Sequence, residues 1–266
     1  MSRAWLFVPG HRPDRFDKAV ASGADRVILD LEDAVAPADK PAARAAVSSW
    51  LPTASGPVAI RLNAADTEWF EDDLAVLEHA SVGFALLPKA EDPRAVERIA
   101  RLRPGLKVVP IIESVLGMAN VRILAAARGV ARLAFGHLDF QVDMGMRGAL
   151  EEDLVGFRGD LVLASRLANL APPIDGVTTD FTVAETLATD VARARRLGFG
   201  GKLCIHPSQV APVREGFAPG GAEVAWARRV LAAAAASGGA AVAVDGKMVD
   251  KPVILRAEAI LRDLAS

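Results

Sequence analysis

Glu113 and Asp139 are the two acids best placed to act together in this 266-residue chain. Each comes just after a short apolar run, residues 107–112 and 133–135, of the kind that forms a buried strand. Neighbouring strands lie roughly 5 Å apart. Two carboxylates at that separation repel unless a proton or cation sits between them. Oxygen ligands without His or Cys select a hard cation, and only two protein ligands select Mg2+, which keeps several waters. Helix caps or salt-bridge partners would present the same two residues, so the pair alone leaves both readings open.

The segment Val27-Ile28-Leu29-Asp30-Leu31-Glu32-Asp33 places further acids at the end of an apolar run. Side chains alternate faces along a strand, so Asp30 and Glu32 point the same way. If that way is into a barrel, Glu32 stands at the mouth and Asp30 deeper. Buried acids are costly unless paired, and Arg61 and Lys89 are available cations. Arg61, within Ile60-Arg61-Leu62-Asn63, carries a planar fork suited to bidentate binding of a substrate carboxylate. It suits neutralising Glu32 equally well, and the two roles can coexist. Lys89, after Pro88, is the Schiff-base candidate, since barrel aldolases can use a strand lysine; its place beside Glu91, near a suspected metal, argues against that use. Pro9-Gly10-His11-Arg12-Pro13 combines a glycine turn, a helix start and Arg12. It reads as an anion site or as plain turn chemistry. His206, before Pro207, reads as a structural hydrogen-bonding residue. The single cysteine, Cys204, lies in an apolar run and reads as a buried, inert thiol. One cysteine excludes an intrachain disulfide and any cysteine-cluster metal site. The chain has no tyrosine, which excludes phenolic acid–base chemistry.

Eight apolar runs would have to position these groups: residues 4–8, 26–31, 58–62, 84–87, 107–112, 133–135, 174–177 and 202–205. Helix-compatible stretches with apolar residues three and four apart lie between them, at 13–22, 40–50, 69–79, 92–101, 118–127, 150–170 and 183–197. Strand alternating with helix implies a parallel sheet, and eight repeats imply a closed TIM (β/α)8 barrel whose C-terminal strand ends share one rim. An open doubly wound sheet is the competing topology, but no G-x-G-x-x-G follows the first run. Past Pro207 an alanine-rich helix, 222–236, is expected to end at Ser237-Gly238-Gly239. An extended segment 240–244, a turn at Asp245-Gly246-Lys247 and a last helix 252–264 should follow. The domain reading is a barrel over 1–236 and a C-terminal helical arm over 237–266. The arm is expected to pack on a neighbouring subunit, although the sequence allows it to fold back on its own chain.

With 52% hydrophobic residues the chain can bury a large core, and its net charge of −2 gives no reason to expect nucleic acid or an acidic membrane as partner. Arg12 and Asp14 come too early for a signal peptide, and no apolar run approaches 18 residues. A soluble cytoplasmic enzyme is the expectation.

A series of motifs then carries a resemblance: LFVPGHRPDRF (6–16), VILDLEDAV (27–35), Arg61–Asn63, LPKAE (87–91), IESVLG (112–117), FGHLDFQVDMG (135–145), PIDGVTTD (173–180), GKLCIHPSQV (201–210) and VDGKMVDKP (244–252). In this order, along the whole chain, they resemble the CitE-like proteins, relatives of the citrate lyase beta subunit within the HpcH/HpaI aldolase and citrate lyase superfamily. The resemblance implies a homotrimer of TIM barrels that breaks or forms carbon–carbon bonds in acyl-CoA esters. It implies Mg2+ held by Glu113 and Asp139, Glu32 orienting water on the metal, and Arg61 contacting a 2-oxo acid. Asp250 would enter a neighbouring subunit's site as the acid–base group. Gly136, Leu138 and Asp139 would bind substrate, with Arg12 and Arg15 as candidates for CoA. The implied reaction splits malyl-, citramalyl- or citryl-CoA into an acyl-CoA and glyoxylate, pyruvate or oxaloacetate. Aldol chemistry on free 2-oxo acids, condensation of acetyl-CoA with glyoxylate followed by thioester hydrolysis, and binding without turnover are the alternatives. His137 stands where the family pattern varies, and is a candidate for tuning substrate choice.

Overall fold

All eight apolar runs become strands. In the computed structural model, which describes residues 2–54, 56, 58–236 and 242–264, they are β1 (Ala4–Pro9), β2 (Arg26–Asp30), β3 (Val58–Arg61), β4 (Val82–Leu87), β5 (Lys107–Ile112), β6 (Ala134–Phe135), β7 (Ile174–Asp175) and β8 (Gly201–Cys204). They pair in sequence order, all parallel, and β8 pairs back to β1 through Ala4 with Lys202, Trp5 with Leu203 and Leu6 with Cys204, which closes the barrel. The helices between them are α1 (Phe16–Ala21), α2 (Lys40–Trp50), α3 (Phe70–Leu74), α4 (Pro93–Leu102), α5 (Val115–Ala119), α6 (Val121–Ala126), α7 (His137–Asp143), α8 (Val155–Leu167) and α9 (Ala184–Leu197), followed by α10 (Val210–Phe217). A parallel connection needs such a crossover, because the chain must return to the starting edge of the sheet.

Period-two alternation fills the interior. Ile28, Ala59, Leu86, Val109, Ile111 and Leu203 belong to one buried cluster, and Trp5 meets Phe84 edge-on at 5.2 Å within it. Two residues above Ile28 is Asp30, two above Ala59 is Arg61, and two above Ile111 is Glu113. The alternation that packs the core therefore carries these polar residues to the C-terminal rim.

The ring is uneven. β1 and β2 share five paired positions, whereas β5 and β6 share two and β6 and β7 one, Ala134 with Ile174. Side chains reinforce this thin side. Arg158 donates to Asp175 at 2.9 Å, Lys202 stands 3.5 Å from Asp175, and the Arg132 guanidinium donates to the carbonyls of Pro172 and Pro173.

The expected helix 118–127 is instead two. It begins earlier, at α5, where Ser114 accepts the Gly117 N–H at 3.1 Å, and it breaks at Asn120, whose side-chain amide donates to the Glu91 carbonyl at 3.0 Å. No helix is expected from the sequence over His137–Asp143, yet one forms there. Phe140 anchors α7 there, fully buried and 5.6 Å from Phe135.

Packing separates residues 2–214 from a second compact unit that begins at Glu215. That unit holds α11 (Gly221–Ala236), the antiparallel pair β9 (Val242–Val244) and β10 (Lys247–Val249), and α12 (Lys251–Leu264). The sequence reading ran the barrel to 236. The structure draws the division earlier, because the buried Ala227 and Val230 of α11 pack with Val249 and with Ala257 of α12. The expected helix stop at Ser237-Gly238-Gly239 lies outside the described residues, as do the first two residues of the 240–244 segment. No helix among the described residues is long and apolar enough to cross a membrane.

Candidate active site

Arg61, at the last position of β3, is the hub of the rim. Its Nε and Nη2 donate to the two Asp30 oxygens at 2.7 and 2.6 Å, and its Nη1 stands 2.8 Å from Glu32 Oε2. Asp30 is 1% exposed and also accepts the Glu32 N–H at 2.9 Å, so the strand end turns back on its own side chain. Burial opposes charge on Arg61, but Asp30 and Glu32 outweigh it and hold the guanidinium above its ordinary range. Glu32 is pushed up by burial, against the pull of Arg61.

Lys89 joins the second side of the rim. Its backbone is left-handed, with φ of 44°, a conformation uncommon outside glycine. That twist lets one residue reach two acids: its N–H donates to Glu113 Oε1 at 2.7 Å, and its Nζ donates to Glu32 Oε1 at 2.9 Å. Burial pulls the ammonium down, but Glu32 and Glu113 more than offset it, so Lys89 stays charged above its ordinary range. A Schiff-base lysine needs a neutral amine, which this environment opposes.

Glu113 follows β5 and is 5% exposed. Burial, and then the charge of Glu32, push its carboxyl up to about 8, with Asp139 adding to the effect. Gly136 makes room for it. A Cβ at that position would lie 2.2 Å from Glu113 Oε2 and 2.5 Å from Glu113 Cβ, so only glycine fits beneath the carboxylate. Asp139 sits in the first turn of α7, where the helix dipole favours an anion.

Arg61, Glu113, Gly136, Leu138 and Asp139 border one cavity of ≈ 440 Å³. Its inner wall is apolar, with Phe7, Ile111, Phe135 and Leu203. Asp30, Asp33 and His137 border it as well. Glu32 stands behind Arg61 rather than in that wall. Arg12 also lies outside it, half-buried and forked onto Asp14 at 2.9 Å through both Nε and Nη2. Asp250 belongs to the C-terminal unit, where it is exposed and its Oδ1 accepts the Val253 N–H at the start of α12. His206 accepts the Ser208 N–H at 3.2 Å and stacks on Phe181. Burial pushes the Cys204 thiol up to about 12, which leaves it inert.

Two supporting groups escaped the sequence reading. Lys40, on α2 and 5% exposed, donates to the carbonyls of Leu31 and Glu32 and to Asn63 Oδ1. Asn63 in turn donates to Asp73, which also pairs with Arg44. This chain fixes the loop carrying Glu32 from behind. The other group is Arg158, Asp175 and Lys202 beneath His137. Asp175 and Lys202 interrupt apolar strands, so their signal was present in the sequence. Lys40 gave none, because a lysine at the start of an amphipathic helix reads as solvated.

The acids fit a hard cation: an all-oxygen pair, one member held far above the ordinary carboxylate range by burial and then by the charge of Glu32, over a glycine that leaves the space open. No group of three or more His, Cys, Asp or Glu arranged to hold a metal occurs among the described residues. The remaining positions of such an ion would fall to water and substrate.

The description of the HpcH/HpaI aldolase/citrate lyase family matches residues 3–207. The chain belongs to that family. Among HpcH/HpaI relatives, the citrate lyase subunit beta-like protein of Mycobacterium tuberculosis is 38% identical over 265 residues, spanning 97% of this chain and 94% of that protein. The L-malyl-CoA/beta-methylmalyl-CoA lyase of Rhodobacter capsulatus is 35% identical over 302 residues, spanning 98% and 94%. The crystal structure of CitE from Mycobacterium tuberculosis, in complex with magnesium, acetoacetate and coenzyme A, superposes with a TM-score of 0.87 at 36% identity, covering 100% of this chain and 98% of that one.

Proposed function

We propose that the protein is a Mg2+-dependent carbon–carbon lyase that splits a 3-hydroxyacyl-CoA ester, malyl-, citramalyl- or citryl-CoA, into a 2-oxo acid and an acyl-CoA. The observation that carries this reading is the pair Glu113 and Asp139 bordering one rim cavity together with Arg61. The names and ligands of the relatives support it. Glu113 and Asp139 would hold the ion. Magnesium, when bound, would lower the pKa of the substrate hydroxyl and offset the charge of the departing 2-oxo acid.

The chain's own groups account for the rest. Arg61, fixed by Asp30 and Glu32, would contact the carboxylate of the oxo acid at one fixed angle. Glu32, held by Arg61 and Lys89, would orient a water at the mouth. The apolar inner wall would exclude other water while the thioester enolate leaves. Asp250 from the C-terminal arm of a neighbouring copy would protonate that enolate, or remove the proton in the synthetic direction. That role needs a neighbouring copy of the chain, and a homotrimer is the assembly that the family resemblance implies.

The test is incubation with Mg2+ and each of the three esters, following the CoA products by mass spectrometry. Cleavage of one ester, abolished by EDTA and by Glu113→Ala, is the expected result. No cleavage of any of them, with clean binding of oxo acids, would refute the reading for these esters and leave aldol chemistry on free 2-oxo acids.

A further inference from the structure

The alternation that lifts Asp30 and Glu113 to the upper rim sends cations to the opposite pole of the barrel. Descending two residues at a time, β2 runs Asp30, Ile28, Arg26, and β5 runs Glu113, Ile111, Val109, Lys107. The approach to β6 runs Gly136, Ala134, Arg132. All three lines end on the edge-on pair Trp5 and Phe84. Arg26 and Lys107 both stand over the Phe84 ring, 5.2 and 5.5 Å from its centroid, and Arg132 lies 5.9 Å from the Trp5 ring. Arg103 joins them from the loop before β5, donating to the carbonyl of Val82 at the start of β4.

The groups these cations bind are neutral. Arg132 is 4% exposed, and its guanidinium donates to the carbonyls of Ser2, Pro172 and Pro173. Arg26 donates to the Asp25 carbonyl, and the Nε atoms of Arg26 and Arg103 are buried with no hydrogen-bond partner among the described residues. The acid at this pole, Asp25, is already taken. Its Oδ2 accepts the N–H groups of Arg3 and Ala4 at 2.9 Å, and its Oδ1 faces Arg214 at 3.5 Å. Burial pulls the Arg132 guanidinium down, with the charge of Asp25 opposing. The aromatic faces offset part of the cost of gathering like charges. A counter-ion would offset the rest, since a buried cation is costly until it is paired.

We propose that the N-terminal pole of the barrel binds a tetrahedral oxyanion of the phosphate type, held by Arg26, Arg103 and Lys107 over the buried Arg132. Guanidinium forks match phosphate oxygens two at a time, and Lys107 is exposed, which leaves the approach open. Inorganic phosphate and the phosphoryl group of a monoester share this chemistry. None of the four cations borders the rim cavity, so the site is separate from the one proposed for the CoA ester and does not rest on the lyase reading. Its effect would be structural. Arg132 already ties the chain ahead of β1 to the chain ahead of β7, and a bound anion would brace that tie beside the thinly paired β6 and β7.

The test is titration of the metal-free full chain with inorganic phosphate, glycerol phosphate and chloride at one ionic strength, by calorimetry and by NMR of the tryptophan indole N–H groups. Trp5 is the local reporter, because its Nε1 donates to the same Ser2 carbonyl that Arg132 holds; Trp5→Phe identifies its resonance. One phosphate per chain should bind with Kd of about 1 mM or tighter and move the Trp5 signal. Lys107→Met, at an exposed position, should weaken binding about tenfold through loss of one charge-assisted contact, and Arg26→Gln should do the same. Arg12→Gln, at the other end of the barrel, should leave it unchanged. Glycerol phosphate binding as tightly as phosphate makes the ligand a phosphorylated metabolite, and binding of phosphate alone makes it the free ion; either supports the site. No binding, an equal response to chloride, or binding lost in Arg12→Gln but kept in both Lys107→Met and Arg26→Gln overturns it.

Discussion

Lowering the pH from 8 to 6 should weaken Mg2+ binding steeply, through Glu113. In the metal-free protein this carboxyl is pushed up to about 8, by burial first and then by Glu32. A carboxylate must lose its proton to act as a ligand, so binding is coupled to proton release. With a value near 8, roughly half of the molecules carry the ionised form at pH 8 and about one in a hundred at pH 6. Apparent affinity should therefore fall about 50-fold across that interval, approaching tenfold per pH unit, and each ion bound at pH 7 should displace about 0.9 proton. The same shift has a consequence for the metal-free fold. The group is raised above its ordinary 4.5, so the stability it contributes is full below that pH and is lost as pH rises to 8. Metal-free protein should thus become less stable over that range, while metal-loaded protein should not. Titration calorimetry at pH 6, 7 and 8, in two buffers of different ionisation enthalpy, counts the protons directly. Affinity constant within a factor of about two from pH 6 to 8, with no proton released, would refute the reasoning.

Three more expectations follow from the same geometry. Gly136→Ala places a Cβ 2.2 Å from Glu113 Oε2, and the overpacking should cost about 1–3 kcal/mol of stability while displacing the carboxylate; Mg2+ affinity unchanged from the parent would show that Glu113 is free to move. Lys40→Met leaves two carbonyls and Asn63 Oδ1 without their buried donor, which should cost about 1–3 kcal/mol for each acceptor left unsatisfied, read by urea unfolding; a total loss under about 1 kcal/mol would mean the cluster does not fix the Glu32 loop. Cys204, with its thiol raised to about 12, should stay unreactive to a disulfide reagent in the folded protein and react fully in guanidinium, and prompt labelling of the native state would contradict its burial.

The sequence carried the barrel because period-two apolar runs and amphipathic helices are local signals, and eight alternations leave few topologies. It also carried Arg61, Glu113 and Asp139, since a charged residue at the end of an apolar run stands out. The geometry between them was not legible. Whether Arg61 would neutralise Asp30, Glu32 or both depends on where neighbouring strands stop relative to one another, and pairing register is a long-range property. The left-handed turn at Lys89 was hidden for a related reason: nothing in a lysine's identity requires positive φ, and the turn exists because Glu113 and Glu32 compensate for it. The break at Asn120 depends on a carbonyl 29 residues away. The role proposed for Asp250 rests on the motif around it alone, because an exposed acid at a helix start has no local mark of chemistry.

The uneven ring has a mechanical consequence. Glu113 leaves β5 and Asp139 comes just after β6, so the two acids flank the joint where the barrel has few backbone hydrogen bonds. A cation shared between them would act as a rivet across that joint. Loading it would then shorten the lifetime of open states on one side of the ring and leave the opposite side, with its five paired positions between β1 and β2, breathing as before. Hydrogen exchange at residues 134–139 and 174–176 would register the rivet as a local slowing, and the protein's resistance to heat would become a property of the metal supply as much as of the chain.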